Sequence, residues 1–430
     1  MSKTNKIELI TLGCSKNTVD SERLMSQLKA NNFEFVDSSD DADSIIINTC
    51  GFIDAAKEES VNTILEAIEL KKQGKIKKVV VAGCLSERYM DDLKKEIPDV
   101  DSFFGTEKYE EIVKDFGGQF SYDLLGERLV TTPKHYAYLK ISEGCDNPCS
   151  FCAIPLMRGG HVSKPMDMLL DEASRLADKG VKELIIIGQD TTDYGKDISG
   201  KRNLSELLER LSNLKGIEWI RLLYAYPSHF PDDVIDTLAN NPKVLKYVDM
   251  PLQHISDNVL KSMRRGITKR RTKELLYKLK EQVPGITLRT TFISGYPAET
   301  EKDFLELCDF VKDIQFDRFG VFNYSVEENT PSYILSDPIS ADEKEARRAE
   351  LMKIQSEISL EKNRNYVGKT MNCIVDDIEN DFYIARSERD APEVDGEVLI
   401  KAENKLLKLG EFYPIEIIDC NEYDLFGKIK

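Results

Sequence analysis

Gly144-Cys145-Asp146-Asn147-Pro148-Cys149-Ser150-Phe151-Cys152 carries three thiols at Cys-x3-Cys-x2-Cys spacing. The run before it, Tyr138-Leu139-Lys140-Ile141-Ser142, reads as a strand, so the thiols fall on a loop at a strand's carboxyl end. Thiolates hold iron–sulfur clusters, normally one per iron. Three thiolates on a four-iron cluster leave one iron open, and an open iron can do chemistry. Structural zinc wants four closed ligands, and no fourth stands nearby. The plainest alternative is three buried cysteines without metal.

Cys14, Cys50 and Cys84 form a second, dispersed triad, each closing an apolar run. The runs 7–12, 44–48 and 78–82 read as buried strands, and 20–30, 54–72 and 87–96 read as helices. Such alternation predicts a parallel sheet covered by helices. All three cysteines then lie just past strand carboxyl ends, the edge at which open α/β sheets bind ligands. Single cysteines are also ordinary core residues. The matched placement and the glycines in Gly13-Cys14 and Gly83-Cys84 favour convergence on one site.

The rest of the chain is α/β followed by all-β. Residues 117–133 read as a linker. Strands are expected at 136–142, 183–187, 219–224, 247–250, 287–293 and 318–322, separated by helices, which predicts a partial (β/α)6 barrel. Ser340-Ala341-Asp342-Glu343 has the capping-box pattern and opens a helix to about residue 363. Segments 371–375, 382–386, 397–400, 412–420 and 425–429 predict a small β-barrel. The expected domains are 5–121, 131–363 and 366–430. Barrel-top positions supply further candidates for ligand contact: Gln189, Gln253, Arg289 and Gly295. A guanidinium suits a carboxylate, and glycine allows close backbone approach. His254 reads as a wall residue, and Cys308, Cys373 and Cys420 as inert core. Arg158 reads equally as an anion contact or a solvated side chain.

Bulk properties bound the setting. A chain of 430 residues with 41% hydrophobic content predicts two or three folded domains. A net charge of −17 repels nucleic acid unless a basic patch overrides it. The first residues, Met1-Ser2-Lys3-Thr4-Asn5-Lys6, show no signal peptide. Apolar runs fall short of the ~18 residues of a membrane helix. A cytoplasmic location follows as the expectation, where grouped cysteines bind metal more often than they pair.

The compact triad resembles that of the radical S-adenosylmethionine (SAM) superfamily. The whole chain resembles the methylthiotransferase family within it: a cluster domain, a radical SAM barrel and a C-terminal TRAM domain. The segments Leu12-Gly13-Cys14-Ser15-Lys16-Asn17-Thr18-Val19-Asp20-Ser21-Glu22, Ser142-Glu143-Gly144-Cys145, Gly188-Gln189-Asp190-Thr191-Thr192-Asp193-Tyr194-Gly195 and Asp390-Ala391-Pro392-Glu393-Val394-Asp395-Gly396 resemble the branch acting on ribosomal protein S-twelve. Ser15 stands where that branch often has proline. The resemblance implies a SAM-binding [4Fe-4S] cluster on Cys145, Cys149 and Cys152, and an auxiliary [4Fe-4S] cluster on Cys14, Cys50 and Cys84. With SAM as the ligand, the barrel-top placement of Gln189, Gln253, Arg289 and Gly295 makes them its expected contacts, and the chemistry calls for a low-potential electron donor such as flavodoxin or ferredoxin. The implied reaction places a methylthio group on the β-carbon of an aspartate, one SAM giving the methyl and another the radical.

Two other readings compete. The sister branch performs the same chemistry on a tRNA adenosine. A non-catalytic iron–sulfur electron carrier would close its clusters with four ligands, which two three-cysteine sites do not supply. Residues 366–430 hold 15 Asp and Glu against 8 Lys and Arg. A tRNA-gripping domain should be basic, whereas an acidic one suits a basic ribosomal protein. Asp390, Glu393 and Asp395 are therefore expected to contribute to binding the protein substrate. The plain alternative is that this acidity is only a solvated face.

Overall fold

The computed structural model describes residues 5–402 and 406–430. Residues 1–4, on which the reading of the N-terminus partly rests, lie outside the described residues, as do 403–405 of the expected C-terminal domain.

The first sheet has five parallel strands in the order Glu34–Phe35, Lys6–Thr11, Ser44–Thr49, Lys78–Gly83, Ser102–Phe103. Every residue of Ser44–Thr49 is buried, as in a parallel strand covered on both faces. Alternation decides which residue meets which layer. Ile45, Ile47, Val79 and Val81 pack with Ile64, Ile68 and Leu93. Ile46 and Val80 pack on the other face with Leu24, Leu28 and Ile112. The strands that precede Cys14, Cys50 and Cys84 are the adjacent central three.

Two helices start earlier than the sequence pattern indicates. The first is Ser15–Ala30 rather than 20–30, with Cys14 as its extended N-cap at φ −108° and ψ 167°. Its extra turn carries polar residues, among them Lys16 and Asn17, which are buried against other domains, so no apolar stripe marked it. The helix expected at 87–96 is Cys84–Glu96. Gly83 makes that abrupt strand-to-helix passage at φ +96°, where a Cβ would stand 2.7 Å from the Thr49 carbonyl oxygen.

The second sheet has six parallel strands in chain order: Tyr136–Lys140, Glu183–Ile187, Trp219–Leu222, Val244–Asp249, Thr287–Ser294 and Arg318–Asn323. The first and last are its free edges, so the sheet is open. Leu139, Leu184, Ile186, Ile220 and Leu222 face the helical layer. Tyr136, Tyr138, Ile185, Trp219 and Tyr247 face the other side, where Ile374 and Ala391 of the C-terminal segment join them. Phe412 meets Trp219 edge-on with ring centroids 4.8 Å apart.

The C-terminal segment is a closed five-stranded barrel. Its first strand, Thr370–Glu379, outruns the expected 371–375 because a register shift between Val375 and Asp377 lets pairing continue past it. The helix Ala341–Arg364 begins at Ser340, whose side chain accepts from the Glu343 N–H at 3.2 Å. The Glu343 carboxylate accepts from Arg347 Nε at 2.8 Å.

The acidic residues 390, 393 and 395 are not a free surface. Asp390 is paired with Arg318 and accepts from Ser387 Oγ at 2.6 Å. Glu393 accepts from the hydroxyls of Tyr136 and Tyr138, each at 3.0 Å. Asp395 accepts from the Tyr247 hydroxyl at 2.6 Å. These carboxylates satisfy donors on the inner face of the six-stranded sheet, which would otherwise be buried without partners. They fasten the barrel to the sheet. No helix among the described residues is long and apolar enough to cross a membrane.

Candidate active site

Asn17 organises the dispersed triad. Its Nδ2 donates to the Leu12 carbonyl at 2.7 Å and the Thr49 carbonyl at 3.1 Å, tying two strand ends together. Its Oδ1 lies 3.8 Å from Cys84 Sγ on the third. Gly13, at φ +92°, lies against Cys50, where a Cβ would sit 2.9 Å from Sγ. Cys14 and Cys84 both stand at helix N-termini. Burial pushes the Cys84 thiol up to about 12 against the pull of Arg158, and raises Cys50 as well.

The compact triad is held by a second group of polar side chains. Asn147 Nδ2 donates to Cys145 Sγ at 3.4 Å and to Asp190 Oδ2 at 2.7 Å. Arg265 Nη1 donates to Cys149 Sγ at 3.3 Å. Burial pushes Cys145 up to about 11 and Cys152 up to about 12. All six thiols are free of disulfides. Buried thiols of this kind ionise readily only against added positive charge, which is what iron brings. In both triads the donor set, three soft sulfurs with N–H or guanidinium groups alongside, fits an iron–sulfur cluster with one open position.

The elements that carry the two triads meet. Cys84 shares a buried cluster with Ala153, the residue after Cys152, and with Met157. Arg158 completes the junction, and it is neither solvated nor alone. Its Nη2 donates to Asn17 Oδ1 at 2.6 Å and to Asp20 Oδ2 at 3.0 Å, and its Nη1 to Glu143 Oε1 at 2.8 Å. Lys140 is paired with Asp20, and with Glu143 at 2.5 Å. Burial works against ionised Asp20, yet Lys140 and Arg158 hold its carboxyl well below the usual range. One buried charge network thus joins the first helix, the strand Tyr136–Lys140 and the cysteine loop. Removing one partner from such a network is strongly destabilising. Arg158→Met is expected to cost about 3–5 kcal/mol, seen as a lower unfolding temperature of the apo chain.

The barrel-top candidates divide. Gln189 stands beside the network, its Nε2 3.3 Å from Glu143 Oε1, and its buried Oε1 has no hydrogen-bond partner among the described residues. Gln253 holds φ +73° at a strand end and bridges to Phe292. Arg289 is already committed: Nη1 donates to Asp249 Oδ1 at 2.8 Å, and Nε lies 3.3 Å from Asp395. It sits early in its strand Thr287–Ser294, away from the carboxyl end. The close approach that Gly295 permits is to Lys344, whose Cγ would lie 2.2 Å from a Cβ there. His254 is a wall residue, bonded to Glu299 at 3.1 Å. Cys308 and Cys373 lie in the cores of the second sheet and the C-terminal barrel, and Cys420 packs at the edge of the latter.

Sequence reasoning did not single out Asn17, Asn147, Tyr226 or Arg265. Two of these lie inside the quoted motifs, but only packing shows that they face sulfur. Arg265 and Tyr226 come from separate turns and left no local signal.

Comparison with known proteins agrees with this architecture. Residues 6–105 match a family described as uncharacterized protein family UPF0004, residues 139–311 the radical SAM superfamily, and residues 367–429 the TRAM domain. The ribosomal protein uS12 methylthiotransferase RimO of Flavobacterium johnsoniae is 55% identical over 99% of this chain and 98% of its own. The protein of the same name from Cytophaga hutchinsonii is 52% identical over 100% and 98%. Among solved structures, the radical S-adenosylmethionine methyltransferase TsrM of Kitasatospora setae shares the fold, with a TM-score of 0.56 at 14% identity, over 77% of this chain and 75% of that one. Radical SAM membership implies a [4Fe-4S] cluster and S-adenosylmethionine. With identity above half along almost its full length, the chain belongs to the radical SAM methylthiotransferases, in the family of the ribosomal protein uS12 methylthiotransferases RimO.

Proposed function

We propose that this chain adds a methylthio group to the β-carbon of an aspartate in ribosomal protein uS12, using a [4Fe-4S] cluster on each cysteine triad, two S-adenosylmethionine molecules and a low-potential flavodoxin or ferredoxin as electron source. The observation that carries it is the buried cluster shared by Cys84 and Ala153, which brings the elements carrying the two three-cysteine sets together. When bound, the compact cluster would supply the electron that breaks a carbon–sulfur bond of S-adenosylmethionine, and the dispersed one the sulfur to be transferred. The protein's own part is placement. Asn17 holds the three strand ends together, and Arg158 locks that end of the sheet to the cysteine loop. Gln189 Oε1 offers a buried acceptor for an ammonium or N–H donor of S-adenosylmethionine. Gln253 lines the same barrel top. Arg289 and Gly295 have other partners, so the reading rests on the two glutamines.

Substrate choice rests on the relatives' name and on charge. With Asp390, Glu393 and Asp395 used internally, the exposed acidity of the C-terminal barrel includes Asp377, Glu379 and Asp381 at one hairpin. Reversing these three to lysine is expected to raise KM for a basic protein substrate several-fold at low salt, an effect that fades as salt screens it. The assignment itself is tested by offering uS12 and unmodified tRNA side by side to the reconstituted enzyme. The expected result is the methylthio mass on an aspartate of uS12 and none on tRNA. Modified tRNA with untouched uS12 would overturn the substrate and leave the radical chemistry standing.

A further inference from the structure

We infer that Arg265 is a positioning residue of the compact triad, its guanidinium acting as the fixed counter-charge that sets the reduction potential of the cluster held there. The inference rests on the proposed occupancy of that triad. The turn that presents Arg265 is tightly specified. It follows the helix Asp257–Ser262, with Arg264 at φ +56° and Gly266 at φ +66°. Arg265 N–H donates back to the Leu260 carbonyl at 3.0 Å, as at a helix C-terminus. The cysteine loop is bound to the same turn. Ser150 N–H donates to the Met263 carbonyl at 3.0 Å, and Ser150 Oγ to the Ser262 carbonyl at 2.8 Å. Cys149 and Arg265 therefore stand on one rigid unit.

The Arg265 side chain reaches the cysteine loop. Nη1 donates to Cys149 Sγ at 3.3 Å, and Nη2 to the Pro251 carbonyl at 2.5 Å. The guanidinium stacks on Tyr226, 4.2 Å from the ring centroid. The Tyr226 hydroxyl donates to the Arg265 carbonyl at 2.7 Å and lies 3.7 Å from Cys149 Sγ. Arg265 is 4% exposed, and its side-chain hydrogen bonds among the described residues run to Cys149 Sγ and the Pro251 carbonyl, not to a carboxylate. Asp190 is near enough to be felt but bonds Asn147 and Thr192 instead. Nε is buried and has no hydrogen-bond partner among the described residues. A buried cation without a carboxylate is costly unless another anion balances it. Here the candidate anion is the sulfur of Cys149 and whatever that sulfur binds. A fixed positive charge in a low-dielectric site favours the more negative, reduced state of a cluster, and hydrogen bonds to its sulfurs act in the same direction. Lysine cannot replace the planar fork that spans Cys149 and Pro251.

The test uses the full reconstituted chain with Arg265→Gln and Arg265→Lys at matched iron content. A potentiometric titration follows the reduced-state EPR signal that changes on adding S-adenosylmethionine, which reports the compact triad. At the wild-type midpoint, the oxidised-to-reduced ratio of Arg265→Gln is expected to rise about tenfold, a shift of about 59 mV to lower potential for one electron. Arg265→Lys should shift less, in the same direction. A fully loaded Arg265→Gln enzyme with the wild-type midpoint overturns the inference. So does an Arg265→Lys midpoint no closer to wild type than that of Arg265→Gln. If Arg265→Gln retains no iron, the lysine variant decides, and an unshifted midpoint there overturns the inference. Wild-type enzyme with no iron on Cys145, Cys149 and Cys152 would overturn the occupancy reading as well.

Discussion

Replacing Cys145, Cys149 and Cys152 together with alanine is expected to abolish reductive cleavage of S-adenosylmethionine, leaving 5′-deoxyadenosine at the level of an enzyme-free blank. Iron should fall from about eight per chain to about four, the content of one remaining four-iron cluster. The loss should be total because the three sulfurs share one loop and no neighbouring thiol can substitute. Cys308 and Cys373 are locked in other cores, and Cys420 packs against the C-terminal barrel. Cys84 lies close by but is drawn into the Asn17 and Arg158 contacts of the other triad. The fold should survive. The loop is anchored by Ser150 to the turn after Asp257–Ser262 and by the Cys145 N–H to the Gly159 carbonyl at 3.1 Å, and neither anchor uses a cysteine side chain. Anaerobic reconstitution, dithionite reduction and quantitation of 5′-deoxyadenosine check the outcome. Cleavage that persisted in the triple variant would remove the compact triad as the radical source.

The scaffold of this site was legible because two periodic signals coincided. Apolar runs such as 44–48 announced buried parallel strands, and a cysteine followed each of the three central ones. Parallel strands put their carboxyl ends on one edge, so convergence followed from topology without any knowledge of side chains. The first helix turn at Ser15 was less legible. Lys16 and Asn17 look like solvated residues in sequence, but Lys16 is buried and its ammonium lies 2.9 Å from the centroid of the Tyr224 ring, on another domain. The same cause misdirected the reading of Asp390, Glu393 and Asp395. Composition counts their charge but cannot show that Tyr136, Tyr138, Tyr247 and Arg318 are waiting for it. Arg289 shows a related effect: a guanidinium suits a carboxylate, and Asp249 of the protein itself already pairs with it. Polar residues that join domains carry no periodicity, and they were the residues misplaced.

Cys50→Ala is expected to separate the two halves of the reaction. The variant should lose the iron of the dispersed triad, keep S-adenosylmethionine cleavage in the absence of protein substrate, and transfer no methylthio group to uS12. The geometry makes Cys50 the sharpest place to cut. It is buried, its backbone N–H and carbonyl are both bonded to Ser60 Oγ at 3.1 and 3.0 Å, and its side chain fills the space beside Gly13. Alanine keeps the Cβ and these backbone bonds, so the strand ends should hold their places while one of three sulfurs disappears. Gly13→Ala attacks the same site from the other side. It imposes a side chain at φ +92° and puts a Cβ 2.9 Å from Cys50 Sγ, so it too should lower iron content and sulfur transfer with no cysteine removed. Because metal binding also stabilises the domain that holds it, lower yield is expected in both variants and does not discriminate between readings. The discriminating measurement is the ratio of methylthiolated uS12 to 5′-deoxyadenosine formed. It should fall towards zero in both variants, whereas a chain that took its sulfur elsewhere would keep the wild-type ratio even with all of Cys14, Cys50 and Cys84 replaced.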